Sequence, residues 1–217
     1  MTNAPVATPI GFISDVHGHA DALEQVLEEL RRRDVQRIYA AGDHLLGGPT
    51  PLETWRALQR ADVRCTRGLS DEALVRVSED ELAPASDAES AAADEFLRTR
   101  KAIGELVIKQ LRELPLTIRI PLIDGREVVM VHGSPADPFT EIAHDVSDDE
   151  LRRMLDQEAA DVVVCGASHV PFRRDVDGIT VLSLGSVGQS PGAKVGHFTV
   201  LRPRMDGLEV HQDFVEL

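Results

Sequence analysis

Acidic and imidazole side chains recur in this sequence directly after short apolar runs. The first group, Asp15-Val16-His17-Gly18, follows the apolar stretch Ile10–Ile13. An Asp and a His two residues apart can both bind one divalent cation, and the glycine beside them leaves room for a ligand to approach the backbone. Similar groups follow at Gly42-Asp43-His44, Gly68-Leu69-Ser70-Asp71, His132-Gly133-Ser134 and Gly166-Ala167-Ser168-His169.

A sheet is needed to bring these groups together, and the first half of the chain predicts one. Strand-like runs alternate there with amphipathic helical patterns, in the order β-α-β-α-β, which predicts a parallel sheet covered by helices. The carboxyl ends of such strands meet at one edge, where ligands bind. Carboxylates and imidazoles at that edge suit Mn, Fe, Zn or a similar divalent ion, which can hold a phosphoryl group and lower the pKa of a bound water.

Local signals place the helix starts and the turns. The first helix is predicted to begin with a capping box at Asp21, and the second with Thr50 as N-cap before Pro51. A helix in the second half is predicted to start at the capping box Ser147–Glu150. Three hairpin signals, at Asp124-Gly125, Asp177-Gly178 and Asp206-Gly207, predict a second and largely antiparallel sheet. Without a linker or a repeat, residues 1–217 are predicted to form a single domain.

Composition limits the classes of protein that remain. A 217-residue chain with 42% hydrophobic residues can bury a sizeable core, and it has no apolar run of the ~20 residues that span a bilayer. We expect no membrane association and, since the N-terminus does not resemble a signal peptide, a cytoplasmic location. A net charge of −14 makes a nucleic-acid partner unlikely, because such binding relies on clustered Lys and Arg. A small phosphorylated substrate or ligand remains compatible, since a bound metal reverses the local field.

The ordered motifs resemble those of the calcineurin-like metallophosphoesterases of the compact bacterial type. The family's blocks are D-x-H-G, G-D, G-N-H-D, H-G and G-H-T-H, and the resemblance runs from about residue 10 to residue 201. It implies an α/β fold: a four-layer α/β/β/α sandwich of two mixed sheets flanked by helices. It also implies a two-metal phosphoesterase site, with Asp15, His17, Asp43 and His169 as ligands of the first metal and Asp43 and His132 as ligands of the second.

Two blocks depart from the family pattern. The family's Asn and His in the third block are Leu69 and Ser70 here, and the first His of the fifth block is Ala167. The resemblance assigns the Asn and that first His to the second metal, and the His of the third block to the protonation of the leaving group. We therefore predict one divalent ion per chain, with a second site that is weak or absent.

Two functions fit these observations. The first is a metal-dependent phosphomonoesterase or phosphodiesterase that is impaired or uses a single metal. In it, Asp43 and His132 act at the metal, and water, His19 or His44 serves as the acid. Arg67 and Ser70 are candidate substrate contacts. The alternative is a relict of the family that binds a metal or a phosphorylated ligand without turnover, as a sensor or interaction module. The sequence does not indicate an oligomeric state.

The two cysteines also have two interpretations. Cys65 and Cys165 each come just before a polar motif, so the thiols would lie near each other if their strands were adjacent. A redox-sensitive pair is then one hypothesis. Buried core cysteines are the other, and this one is favoured because free cysteine is among the most buried residue types.

Overall fold

A computed structural model describes residues 4–156 and 158–217, and within them the chain forms five α-helices and ten strands. The first half contains β1 (Ile10–Ile13), α1 (Ala20–Arg32), β2 (Arg37–Ala40), α2 (Pro51–Arg60), β3 (Arg64–Cys65), α3 (Leu69–Arg76) and α4 (Asp87–Glu113). The second half contains β4 (Thr117–Pro121), β5 (Glu127–Val131), α5 (Asp148–Leu155), β6 (Val162–Cys165), β7 (Pro171–Val176), β8 (Ile179–Leu184), β9 (Val195–Arg204) and β10 (Gly207–Glu216).

The strands form two five-stranded sheets. The first has the order β10-β9-β1-β2-β3, with the parallel pairs β1–β2 and β2–β3 that the sequence predicts. The second has the order β4-β5-β6-β8-β7. Both sheets are mixed, as the family resemblance implies.

The prediction of a largely antiparallel second sheet was wrong. Strand β6 pairs in parallel with both β5 and β8, so only the outer pairs β4–β5 and β7–β8 are antiparallel. The hairpin β9–β10 forms as expected at Asp206-Gly207, but it extends the first sheet, where β9 pairs antiparallel with β1. A hairpin signal specifies its own turn and leaves open which sheet receives the two strands.

Three apolar clusters separate four layers. Helices α1 to α4 cover the outer face of the first sheet, with Leu23, Leu58 and Ile108 among the buried residues. The facing sides of the two sheets enclose a second cluster that includes Phe12 and Met130. The third cluster packs α5 against the outer face of the second sheet. Among the described residues, no helix is both long and apolar enough to cross a membrane.

The helix starts follow the predictions in part. Helix α5 begins after Ser147, whose hydroxyl accepts the Glu150 N–H as expected. Helix α1 begins at Ala20, one residue before the predicted cap at Asp21. Its first N–H is bonded instead by the Thr50 hydroxyl, at 3.0 Å from the Ala20 nitrogen, and that hydroxyl also donates to the Gly18 carbonyl. Thr50 thus precedes α2 as predicted but bonds the start of α1.

The structure contradicts the hypothesis of a cysteine pair. Cys65 ends β3 at the edge of the first sheet and packs in the cluster beneath α1 to α4. Cys165 ends β6 in the second sheet and packs in the cluster beneath α5. Because the strands belong to different sheets, both thiols are buried core residues without a disulfide.

Candidate metal centre

The loops after β1 and β2 lie side by side and carry the first candidate ligands. The backbone N–H groups of Asp15, His17 and Gly18 donate to the carbonyls of Gly42, Asp43 and His44 over 2.9–3.1 Å. This ladder continues the parallel pairing of the two strands beyond their ends. It fixes Asp15 and His17 relative to Asp43, although the two loops are far apart in the sequence.

Asp15, His17 and His169 form the first cluster. The Nε2 atoms of His17 and His169 lie 3.1 Å apart, and His169 Nε2 lies 3.3 Å from Asp15 Oδ1. Asp15 is fully buried, and its Oδ1 has no hydrogen-bond partner. Its other oxygen accepts the N–H of Ala167. Asp43 completes the predicted set, with Oδ2 3.9 Å from His17 Nε2.

Each candidate histidine ligand is oriented by a backbone carbonyl. The Nδ1 atoms of His17, His132 and His169 lie 2.7, 2.6 and 3.2 Å from the carbonyl oxygens of Leu46, Ala41 and Gln189, respectively. Because a carbonyl only accepts, each Nδ1 carries a proton, which leaves Nε2 of each ring as the candidate ligand atom that faces the centre. A proton on one ring would satisfy one contact between His17 and His169, whereas a divalent cation satisfies both lone pairs and the free oxygen of Asp15.

A second cluster contains Asp15, Asp43 and His132, whose candidate ligand atoms lie within 4.8 Å of one another. His132 Nε2 lies 3.4 Å from Asp43 Oδ1, and all three residues are buried. The sequence-based prediction gave this second position only Asp43 and His132. The structure adds the carboxylate of Asp15, which the two clusters share.

The backbone is strained where these side chains emerge. Asp15, His17, Asp43 and His169 all have positive φ, between 48° and 59°. Residues other than glycine seldom adopt this left-handed conformation. Each such residue costs on the order of 1–3 kcal/mol of stability and persists only where the surrounding structure enforces it. Four such residues lie around one point, which indicates that the backbone strain is tolerated because it orients these side chains toward the centre.

Electrostatics at the centre also favour a cation. Burial opposes the charge of Asp15, but His169, His132 and His17 together hold the pKa of this carboxyl below its usual value. Burial raises the pKa of Asp43, and the carboxylates of Asp71 and Asp15 act in the same direction. The nearby carboxylate of Asp15 raises the pKa of His169, although burial of the ring acts in the opposite direction. A divalent ion would stabilise both carboxylates in their charged form.

Asp71 organises the Asp43 loop from behind. Its fully buried carboxylate accepts the backbone N–H groups of Asp43, His44 and Gly68 over 2.8–3.1 Å. Asp71 also caps α3, because it accepts the N–H of the N-cap residue Gly68. Gly68 is required here because a Cβ atom would lie 2.2 Å from Asp43 Oδ1. The Ser70 N–H donates to that same oxygen at 2.8 Å, so the start of α3 holds the carboxylate of Asp43.

The two additional histidines lie in different environments. His44 is fully buried, with Nε2 2.9 Å from the Thr66 carbonyl and 3.7 Å from Asp71 Oδ2. Although burial favours the neutral ring, Asp71 and Cys65 raise the pKa of His44 to about 10. The ring faces the core beneath the centre, which argues against the predicted role as catalytic acid. His19 is half-buried before α1, where burial and then the charge of His17 lower its pKa.

The candidate substrate contacts are only partly available. Arg67 is engaged by the carboxylate of Glu72 at 2.8 Å and by the Arg112 carbonyl at 2.9 Å, so the structure does not bring its guanidinium to the metal centre. Ser70 lies at the centre through its backbone, and its hydroxyl is buried without a partner. Leu69 is 54% exposed, so more than half of its side chain faces solvent.

Several residues that hold the candidate ligands in place had no role predicted from the sequence. The Ser186 hydroxyl donates to the Asp15 carbonyl at 2.7 Å, and the carbonyls of Leu46 and Gln189 orient two imidazoles. Glycine and serine in the segment Gly185-Ser186-Val187-Gly188-Gln189 could have indicated a loop that supports the centre. Leu46 acts through its backbone, so its side chain gives no signal.

Comparisons with known proteins show which family this chain resembles. Residues 9–205 match the model of the calcineurin-like phosphoesterase superfamily domain. An uncharacterized protein of Methanocaldococcus jannaschii is 27% identical over 184 residues, which cover 84% of this chain and 71% of that protein.

Solved structures share the fold. The crystal structure of a metallophosphoesterase from Sphaerobacter thermophilus is 26% identical, with a TM-score of 0.73, and the match covers 95% of this chain and 88% of that one. A hypothetical protein from Pyrococcus horikoshii OT3 has a TM-score of 0.81 at 21% identity, over 96% of this chain and 88% of that one. With the family model matched along most of its length, the chain belongs to the calcineurin-like phosphoesterase superfamily.

Proposed function

We propose that this protein is a metal-dependent hydrolase of small phosphomonoesters or phosphodiesters. The observation that carries the proposal is the pair of imidazole Nε2 atoms 3.1 Å apart beside the unpartnered, buried oxygen of Asp15. Both Nδ1 atoms are committed to carbonyls, so three lone-pair donors face one point. Membership of the phosphoesterase superfamily supports the same reaction class.

The residues around the centre would have separate roles in binding the metal and in holding its ligands. Asp15, His17, Asp43 and His169 hold one divalent ion, and Asp15, Asp43 and His132 offer a second, weaker position. The ion supplies charge neutralisation for a phosphoryl group and lowers the pKa of water. The Ser70 N–H and Asp71 keep Asp43 in place through the contacts that organise its loop.

The reaction itself would be a simple hydrolysis. A water oxygen bonds to phosphorus and releases one proton to solvent, the ester P–O bond breaks, and the leaving oxygen takes up one proton from solvent to give the alcohol. His132, oriented by the Ala41 carbonyl, would orient the phosphoryl group so that the water attacks phosphorus from the side opposite the leaving oxygen. His19 stays a predicted acid, although its lowered pKa makes the ring a poor proton donor at neutral pH.

Turnover with defined metals tests the proposal. The purified protein is stripped with chelator, reloaded with Mn²⁺, Zn²⁺ or Fe²⁺, and assayed on p-nitrophenyl phosphate and on its bis-ester. We expect metal-dependent hydrolysis that the Asp43→Asn variant loses by at least 10²-fold, with metal content measured in parallel. The exposed Asp145→Asn variant is the matched control and should behave as wild type.

A non-catalytic binding protein is the second candidate. It is favoured by the side chains at three family positions, since Leu69, Ser70 and Ala167 bring no imidazole or amide to the centre. Stoichiometric metal binding without turnover of either ester under any of the three metals would support this candidate and reject the hydrolase.

A further inference from the structure

An open cleft of about 380 Å³ lies between α3, the segment after it and the first half of α4. Its volume falls within the range of small-molecule sites, about 300–1,000 Å³. The lining is mostly apolar and includes Leu46, Ala73, Val77, Leu82, Ala93 and Phe96. Such a lining favours an apolar occupant.

Two structural links join this cleft to the metal centre. Leu46 lines the cleft, and its carbonyl accepts the Nδ1 proton of His17 at 2.7 Å. Helix α3 supplies the other link, because Leu69 and Ala73 are spaced i and i+4 and therefore share one face of the helix. Val77, the residue directly after the helix, also lines the cleft. That face begins with the exposed Leu69, next to the N–H that donates to Asp43, and ends in the cleft. Apolar side chains therefore extend from the start of α3, beside the candidate metal position, to the cleft.

The charges around the cleft exclude an anionic occupant. Its only ionisable lining residues are Glu81 and Glu89, and both are acidic. Each carboxylate is already committed to a backbone N–H, of Ser78 and Ala85 respectively, at 2.8 and 2.7 Å. A polyphosphate chain would meet no cation there, so the part of the substrate that enters the cleft is not expected to be anionic.

The start of α3 adds a chemical constraint on the leaving group. It presents Leu69 and Ser70, which are not acids, and His44 is turned into the core. A leaving alcohol that receives no proton from a side chain departs more easily when its own pKa is low. Phenol-like alcohols meet this condition and are also apolar and planar.

We propose that the substrate is a phosphoester of an apolar aromatic alcohol, whose ring occupies this cleft while its phosphoryl group meets the metal centre. This inference rests on the proposed function and narrows its substrate class. It assigns the side chains of Leu69 and of the lining residues to recognition of the alcohol, and none of these side chains is a candidate metal ligand.

Binding of phosphonates, which resist hydrolysis, tests the inference whether or not turnover is seen. Calorimetry on the Mn²⁺-loaded protein compares 2-naphthylmethylphosphonate with methylphosphonate, which lacks the ring. We expect at least tenfold tighter binding of the naphthyl compound. The double variant Ala92→Gln/Ala93→Gln places two polar amides in the cleft and should remove most of this preference, with methylphosphonate binding unchanged.

The matched control is the double variant Ala88→Gln/Ala91→Gln, two exposed positions on the same helix that do not line the cleft. It should keep the preference for the naphthyl compound. Equal affinity for the two phosphonates, or a preference that survives in the cleft variant, would reject the inference and leave the metal centre intact. Failure of both phosphonates to bind in the presence of Mn²⁺ would reject the phosphoesterase proposal together with the inference.

Discussion

Some carboxylates in this protein are candidate metal ligands, whereas others hold loops in place. Asp71 is the clearest case of a carboxylate that holds a loop. It is buried and accepts three backbone N–H groups, two of them from the loop that carries Asp43. An acid after the start of a helix usually serves only as a cap, and the sequence supported that simple interpretation. The additional role depends on β2 and β3 being neighbours in the sheet.

The Asp71→Asn variant should be less stable than wild type. One amide oxygen can replace one carboxylate oxygen, but the NH₂ group then faces an N–H that it cannot accept. Hydrogen bonds to charged groups contribute ~1.5–3 kcal/mol, so we expect the free energy of unfolding in urea to fall by about that amount. Metal affinity should fall as well, because Asp43 loses its support.

The exposed Asp94→Asn change on α4 is the control and should leave both quantities unchanged. An Asp71→Asn protein with the stability and metal affinity of wild type would show that the three hydrogen bonds do not hold the loop.

At the scale of elements, α4 is two helical segments joined at Gly104. This residue has φ 72° and ψ 171°, far from helical values, inside a helix that otherwise spans Asp87–Glu113. The first segment forms a wall of the apolar cleft, while the second packs toward the core through Val107, Ile108 and Leu111. The break therefore lets one continuous stretch of chain serve two surfaces.

Substitution of Gly104 by alanine should destabilise the protein through its backbone alone. A Cβ atom there would have no neighbour within 4 Å, so the cost is conformational strain of roughly 1–3 kcal/mol. Thermal and urea unfolding measure it. Gly207→Ala is the control, since a Cβ at that position meets only the Arg126 side chain at 3.8 Å and no positive φ is required. Equal stability of the two variants would contradict the argument.

Strand β9 carries a histidine that should make stability depend on pH. Burial lowers the pKa of His197, whose ring lies against Phe214 and whose Nδ1 lies 2.9 Å from the Ser190 hydroxyl. When the folded pKa is below the unfolded value of 6.5, the unfolded chain binds the proton more readily. Stability should therefore fall as the pH drops below about 6.5.

Urea unfolding at pH 7.5 and pH 5.5 tests this point with the variant His197→Asn, whose amide can replace Nδ1 without titrating. The loss of unfolding free energy between the two pH values should be smaller in the variant than in wild type. An identical loss in both proteins would assign the pH dependence to other groups.

At the scale of the whole molecule, two sheets with separate outer cores keep the two thiols apart. Cys65 and Cys165 are both buried, and burial raises the pKa of Cys165 to about 12. We expect neither thiol to react with a thiol reagent in the native protein and both to react in denaturant, after oxidising treatment as well as after reduction. Recovery of fewer than two free thiols after oxidation would contradict the separate burial of the cysteines.

The sequence alone determined which residue types could form a metal site and that the fold brings them together. Asp15, His17 and Asp43 follow strands whose order and parallel pairing are local and periodic signals, so their convergence was predictable. The family resemblance added the two mixed sheets and the four layers, and the structure shows both.

Only the tertiary structure decided how the site is assembled. It gave the second cluster a third candidate ligand, turned His44 into the core, and paired Arg67 with Glu72. It also joined the last hairpin to the first sheet. Each outcome depends on hydrogen bonds or strand pairs between residues far apart in the chain. Spacing and residue type specify local conformation, whereas such contacts depend on how the layers pack.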